Sequence, residues 1–269
     1  MRKPLIGISA ALIAAAGALA QGPTYIHDLN SRVEFTPGGP DGQLAWWVND
    51  VNYLAKQWFW FRVGGEDREY SIDTLLMPNP PKLLDTNFNP GDDLLSLRYE
   101  DPVRNFRIDL AFLLTGAPAG TLASDIAETI IITNPGTTPL DFHFFQYVDL
   151  NLGGQSPDTA RYMNDNAVRQ TSTLGHRASE TVITPAASHR EIDFVPNTLS
   201  RLNDALPTTL NDFTGPLTGD VSWAYQWDTV IAPGKAFLIS KDKQNTPQPP
   251  TKAMQAQGGL VLKRRRRPA

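Results

Sequence analysis

Residues 140–154 read LDFHFFQYVDLNLGG and bring one of the chain's four histidines together with two aspartates and several aromatic rings. These residue types either do chemistry or form one wall of a buried sandwich, and any acid–base pair would have to assemble from distant strands. On a strand, side chains alternate between faces, so Leu140, Phe142, Phe144, Val148 and Leu150 share one side. Asp141, His143, Phe145, Tyr147, Asp149 and Asn151 share the other. The first side is core. The second is either a solvated sheet face or the floor of a ligand cleft, with His143, Tyr147 and Asp149 as candidate binding residues. The default for a lone histidine among strand aromatics is a hydrogen-bonded structural role.

Trp223, Tyr225 and Trp227 recur at period two, as an exposed platform on which sugars stack or as filling for a core. Core is the default, since a row of bare rings would be an apolar patch that soluble proteins seldom leave open unless it binds something. Residues 57–61, QWFWF, carry rings on both faces, which implies a central strand covered on both sides.

Other signatures fail. Asp149, Asn151 and Gly153 begin like a calcium loop, but its twelfth position is Ala160, where a bidentate carboxylate is required. The oxygens of Asn87, Asn89, Asp92 and Asp93 read as a solvated loop. His27, His143, His176 and His189 are too far apart for a His-x-x-x-His site, and no nucleophile elbow, phosphate loop or dinucleotide fingerprint occurs. No catalytic residue, metal or cofactor is assigned.

The elements that must position these side chains are strands. Helical periodicity is nearly missing, whereas period-two and fully apolar runs bounded by Gly, Pro, Asn and Asp recur. Strands are predicted over 57–63, 94–99, 106–114, 128–133, 140–150, 180–184, 222–231 and 236–240, with others between residues 25 and 51. Asn134-Pro-Gly-Thr-Thr138 predicts a hairpin between its flanking strands, and Ala232-Pro-Gly-Lys235 repeats that logic. Leu199 and Leu202, with Asn197 or Thr198 as cap, predict one short helix. The fold class is all-β: a single large antiparallel sandwich of two face-to-face sheets. No linker divides the body and no long repeat is visible.

Met1-Arg2-Lys3, a short apolar run and Ala18-Leu19-Ala20 form a signal peptide over 1–20, which implies export. The sandwich is assigned to 21–244 and a flexible basic tail to 245–269, with Lys263 through Arg267 as a solvated cluster. The chain carries 24 basic and 28 acidic residues, and with leader and tail set aside the body is more acidic still. That argues against nucleic acid as a partner, since phosphate contact needs a basic face. Without cysteine there is no disulfide framework, so stability must come from burial. The mature chain has no span that would stay in a bilayer; its oligomeric state is not fixed by the sequence.

Residues 57–75, 124–154, 194–210 and 219–244 resemble a family of uncharacterised exported bacterial proteins that usually carry a PEP-CTERM sorting tail. The tail departs from that pattern: Thr246-Pro-Gln-Pro-Pro250 stands where the family has Val-Pro-Glu-Pro, and Lys252, Gln255 and Gln257 interrupt the apolar span. The resemblance implies a cell-surface or extracellular location and transfers no functional residue. Two functions follow as expectations. The first, which the failure of every catalytic motif favours, is a non-catalytic exported sandwich of the cell surface or extracellular matrix whose candidate partners are polysaccharides or cell-envelope components. The second is a carbohydrate-active enzyme resembling mutarotase-type sugar epimerases, which use a histidine and a carboxylate on a large sandwich. Their motif usually reads Asn-His-x-Tyr-Phe-Asn-Leu, where this chain has Phe142-His143-Phe144-Phe145-Gln146.

Overall fold

A computed structural model describes residues 22–154 and 157–246; the expected leader and nearly all of the basic tail lie outside the described residues. In chain order the elements are β1 (Thr24–Asp28), β2 (Ser31–Thr36), β3 (Gly42–Val48), β4 (Val51–Asn52), β5 (Leu54–Val63) and β6 (Tyr70–Ser71). Next come β7 (Lys82–Leu84), β8 (Leu94–Asp101), β9 (Phe106–Thr115), β10 (Ser124–Thr133), β11 (Leu140–Leu150) and β12 (Asp158–Asn164). The chain closes with β13 (Ala167–Ser172), β14 (Arg177–Thr184), β15 (His189–Phe194), α1 (Asn197–Leu202), β16 (Leu217–Gly219), β17 (Val221–Ile231) and β18 (Ala236–Thr246). They form two nine-stranded sheets. The first runs β1-β2-β3-β5-β11-β17-β15, with β4 on β3 and β6 on β5; the second runs β16-β12-β13-β14-β18-β10-β9-β8-β7.

One continuous core fills the space between them, so the body is a single large sandwich. Phe59 and Phe61 of β5 stack on Phe144 and Phe142 of β11, with centroids 5.5 and 6.0 Å apart, and reach across to Phe112 and Phe106 of β9. Rings of this size bury about 150–250 Å² each, so the interior is held together chiefly by aromatic burial.

A fully buried ionic network lies in the same interior. Lys241 Nζ of β18 donates to Glu128 Oε2 of β10 (2.5 Å), Gln146 Oε1 of β11 (2.5 Å) and Glu180 Oε1 of β14 (3.1 Å). Lys243 Nζ donates to Glu128 Oε1 at 2.9 Å, Gln57 Nε2 to Glu128 Oε1 at 2.7 Å, and Trp223 Nε1 to Glu180 Oε2 at 3.0 Å. Burial alone would push the Glu128 carboxyl up; the charges of Lys241 and Lys243 outweigh it and hold that carboxyl well below its usual range. The sequence predicts this last strand only over 236–240, since Lys-Asp-Lys-Gln carries no apolar pattern. The strand instead continues to Thr246, with Lys241, Lys243 and Asn245 facing inward.

The two predicted hairpins are not hairpins. β10 pairs only with β9 and β18 in the second sheet, while β11 pairs with β5 and β17 in the first, so residues 134–139 carry the chain from one sheet to the other. Residues 232–235 make the same crossing between β17 and β18. Turn composition reports a reversal of direction, not whether the returning strand pairs with its predecessor or lies opposite it. Asn134, 2% exposed, binds the crossings together: Nδ2 donates to Thr138 O and to Ile231 O, each at 2.8 Å, and its backbone N–H donates to Lys235 O. Asn134→Ala leaves these carbonyls unpaired and is expected to destabilise by about 2–3 kcal/mol in urea unfolding; a loss under about 0.5 kcal/mol, the size of an ordinary surface change, would contradict this role.

The short helix is present, but Pro196 is its N-cap and no side chain caps it. Thr198 Oγ1 donates instead to the buried Glu191, at 2.5 Å, fastening the helix to the outer face of the first sheet.

Candidate functional site

The outer face of the first sheet has a covered half and an open half. α1 and the chain to residue 213 lie across it as a strap, fastened by buried acceptors. The Thr208 N–H donates to Glu69 Oε1 (2.9 Å), the Leu210 N–H to Gln226 Oε1 (2.9 Å), and the Asn211 N–H to Glu191 Oε2 (2.9 Å). Trp60 Nε1 donates to Asn203 Oδ1 at 3.0 Å. Register then fixes which side chains share this face. Arg62, His143 and Asp228 form one row across β5, β11 and β17. The next row holds Trp60, Phe145, Gln226 and His189, from β5 to β15.

At the open margin two imidazoles and two carboxylates interlock. His143 Nδ1 donates to Asp228 Oδ1 at 2.6 Å, and Gln226 Nε2 donates to Asp228 Oδ1 at 2.8 Å. His189 Nδ1 donates to Asp212 Oδ2 of the strap at 2.8 Å, and its Nε2 lies 3.7 Å from Asp228 Oδ2. Burial pushes the Asp228 carboxyl up, but the hydrogen bonds from His143 and Gln226 and the nearness of the His143 and His189 rings outweigh it, so this carboxyl sits below its ordinary range. Asp228 is therefore an acceptor at neutral pH and fixes His143 with its proton on Nδ1. The His143 side chain is 18% exposed and that of Asp228 31%, and His143 Nε2 lies 3.9 Å from Asp141 Oδ1, beyond hydrogen-bond distance, so that nitrogen is the one available for proton exchange. Arg62 is committed elsewhere, donating to Glu69 Oε1 at 3.0 Å and to Gly64 O.

Of the residues singled out in the sequence, only His143 stands at this margin. Tyr147 is fully buried, edge-on to Trp60 with centroids 6.4 Å apart, because the strap covers that half of the face. Asp149 is 8% exposed. Trp223, Tyr225 and Trp227 are not a platform: they lie on the opposite side of β17, between the sheets, at no more than 1% exposure. Trp223 serves Glu180, Trp227 Nε1 donates to Pro185 O at 3.1 Å, and Tyr225 packs edge-on against Tyr162. The alternation of β17 puts its rings on one face and Ser222, Ala224, Gln226 and Asp228 on the other, and it is the second set that reaches the site. Asp228, His189 and Asp212 were not singled out, since their meeting depends on strand register and on the strap. Among the described residues no group of three or more His, Cys, Asp or Glu is arranged to hold a metal ion.

Asp149 is expected to weaken the fold above neutral pH. Burial, reinforced by the charges of Asp220 and Asp158, pushes its carboxyl up to about 7. A carboxyl raised on folding is tolerated below its ordinary value near 4 and weakens the fold as pH rises through 7. Asp149→Asn is thus expected to raise Tm at pH 8 by about 2–4 °C and to have no such effect at pH 4; an equal shift at both pH values, or none at pH 8, would contradict it.

No family model matches the chain, and no curated protein matches it in sequence. Solved structures share its fold. An aldose 1-epimerase candidate from Escherichia coli K12 matches with a TM-score of 0.53 at 12% identity, over 84% of this chain and 99% of its own. A galactose mutarotase related enzyme from Lactobacillus acidophilus matches with a TM-score of 0.54 at 9% identity, over 84% and 98%. A bacterial glucoamylase complexed with acarbose matches with a TM-score of 0.53 at 10% identity over 91% of this chain, which spans 34% of the glucoamylase chain. The chain shares the large two-sheet sandwich fold of these proteins; at these identities the likeness carries no residue correspondence.

Proposed function

We propose that this chain is an exported carbohydrate-handling protein whose open sheet margin, centred on His143 and Asp228, performs acid–base chemistry on an aldose. The observation that carries the reading is the 2.6 Å bond from His143 Nδ1 to Asp228, which orients the ring and leaves Nε2 to work. In the reaction His143 Nε2 takes the proton of the anomeric hydroxyl, the bond from C1 to the ring oxygen breaks as the carbonyl forms, and the ring oxygen takes a proton from water. Reclosure on the other carbonyl face reverses both transfers, the ring-forming hydroxyl returning its proton to hydroxide and the His143 imidazolium protonating the new anomeric oxygen, and gives the other anomer. The fold's occurrence in an aldose 1-epimerase candidate and a galactose mutarotase related enzyme supports this substrate class. The N-terminal leader pattern and the resemblance to exported proteins with PEP-CTERM tails support the location. Polarimetry of freshly dissolved α-D-galactose tests the reading: the purified protein should speed the drift to equilibrium, and no acceleration above buffer would overturn it.

A second reading, a non-catalytic glycan-binding protein of the cell surface or matrix, is favoured by one observation. Both imidazoles are already hydrogen-bonded within the fold, as structural histidines are. Saccharide binding without acceleration would select it.

A further inference from the structure

A cavity of about 260 Å³ opens at the other end of the first sheet, lined by His27, Leu29, Arg32, Trp47, Asn49 and Asp50 among others. It shares no residue with the His143 margin. Its walls are the β1–β2 and β3–β4 turns, and three non-glycine residues there adopt left-handed backbone: Leu29 (φ 48°), Asn49 (φ 47°) and Asp50 (φ 63°). Asn49 and Asp50 are the central pair of the two-residue β3–β4 hairpin, whose turn type requires positive φ. Neighbouring segments hold these turns in place. Asn30 Nδ2 donates to Thr121 O (2.8 Å), Asn49 Nδ2 also donates to Thr121 O, and the Gly120 and Ala117 N–H groups donate to Asn49 Oδ1 (2.9 Å) and Asn30 Oδ1 (2.8 Å). Asp28 accepts from the Gly116 N–H at 2.7 Å and from Asn89 Nδ2 at 2.8 Å. Four connections, β1–β2, β3–β4, β7–β8 and β9–β10, are thereby joined into one rim.

The groups not consumed by the rim define the ligand. The Arg32 guanidinium lies 4.2 Å from the Trp47 ring centroid and 5.8 Å from that of Tyr25, and makes no ion pair among the described residues. A guanidinium stacked on an aromatic face keeps its N–H edges in plane and free, which suits bidentate binding of a carboxylate. His27 Nδ1 donates to Pro90 O at 3.0 Å, so Nε2 is left to accept from a hydroxyl. Asp50 on the rim accepts from hydroxyls and disfavours a ligand that is anionic all round. The cavity falls just under the roughly 300 Å³ at which small-molecule sites begin, room for one sugar ring and not a long chain segment.

We propose that this cavity binds a uronate, a sugar residue whose carboxylate pairs with Arg32, whose hydroxyls meet His27 and Asp50, and whose ring lies against Trp47. It is a recognition site independent of the acid–base margin. The test is calorimetric titration of the purified full-length chain with D-galacturonate, D-galactose and acetate, repeated on Arg32→Gln, Trp47→Leu and His143→Ala. Galacturonate should bind more tightly than galactose or acetate, and Arg32→Gln should weaken it about 10- to 100-fold. Trp47→Leu should weaken it as well, and His143→Ala should leave it unchanged. Arg32 is exposed, so its replacement keeps the fold. Equal affinity for galacturonate and galactose, acetate binding as tightly as galacturonate, indifference to Arg32→Gln, or no binding by the folded chain would each overturn the proposal. Loss on His143→Ala would do so too, by placing the sugar at the other site, whereas failure of the polarimetric assay alone would leave this site standing.

Discussion

Lys241→Met should cost about 3–5 kcal/mol in equilibrium unfolding, which is a large part of a typical domain's stability. The interior network holds two carboxylates and two ammonium groups, Glu128, Glu180, Lys241 and Lys243, at no more than 1% exposure, so its formal charge is balanced. Methionine keeps most of the side-chain volume and removes the charge. Glu180 is then left without its cation, and Gln146 Oε1 without its donor, in a space water does not reach. The cost comes from that uncompensated charge and not from a cavity, so neutralising the partner should recover part of it. Lys241→Met with Glu180→Gln is expected to be more stable than Lys241→Met alone by at least about 1 kcal/mol. A single variant within about 0.5 kcal/mol of the parent would show that the network does not bear on stability.

His143→Ala should slow anomer interconversion about 100- to 1000-fold, the usual contribution of a positioned general acid–base group. Asp228→Asn tests the orientation argument, because it keeps the shape and removes the charge that fixes the proton on Nδ1. An amide at this position can donate to Nδ1 and so select the other tautomer, with the proton on Nε2, where it blocks that nitrogen from acting as base. The expected loss is again about 100-fold. It should also persist across pH 5–8, since Asp228, held below its ordinary range, is ionised throughout that window in the parent. Rates that follow His143→Ala but ignore Asp228→Asn would leave the histidine in place and remove the carboxylate's role.

The layered β architecture was legible because burial writes itself into the sequence at period two: β11 was predicted with its observed bounds, and β5 was expected to be covered on both faces, as it is. The polar strands β12 and β13 escaped notice because their outward faces interrupt any apolar pattern. β18 was cut short for the opposite reason, since its inward residues are charged. Which sheet a strand joins is a long-range matter, and the crossings at Asn134 and at 232–235 look locally like hairpin turns. The candidate site shows the same division. His143 stood out by residue type, whereas Asp228, His189 and Asp212 come to it through cross-strand register and through a strap anchored on Glu69, Glu191 and Gln226. The aromatic triplet of β17 is conspicuous in sequence because it is core, and the residues that reach the candidate site are the plain ones between its rings.

The central claim is that a saccharide meets the His143 ring. Long-range ¹H–¹⁵N spectra of the histidine side chains, recorded during a D-galactose titration, test it most directly. The ring nitrogens of His143 and His189 should shift together and saturably, while His176, hydrogen-bonded to the Tyr53 hydroxyl at 3.0 Å, stays still. Saturating sugar that leaves the His143 resonances unmoved would contradict it.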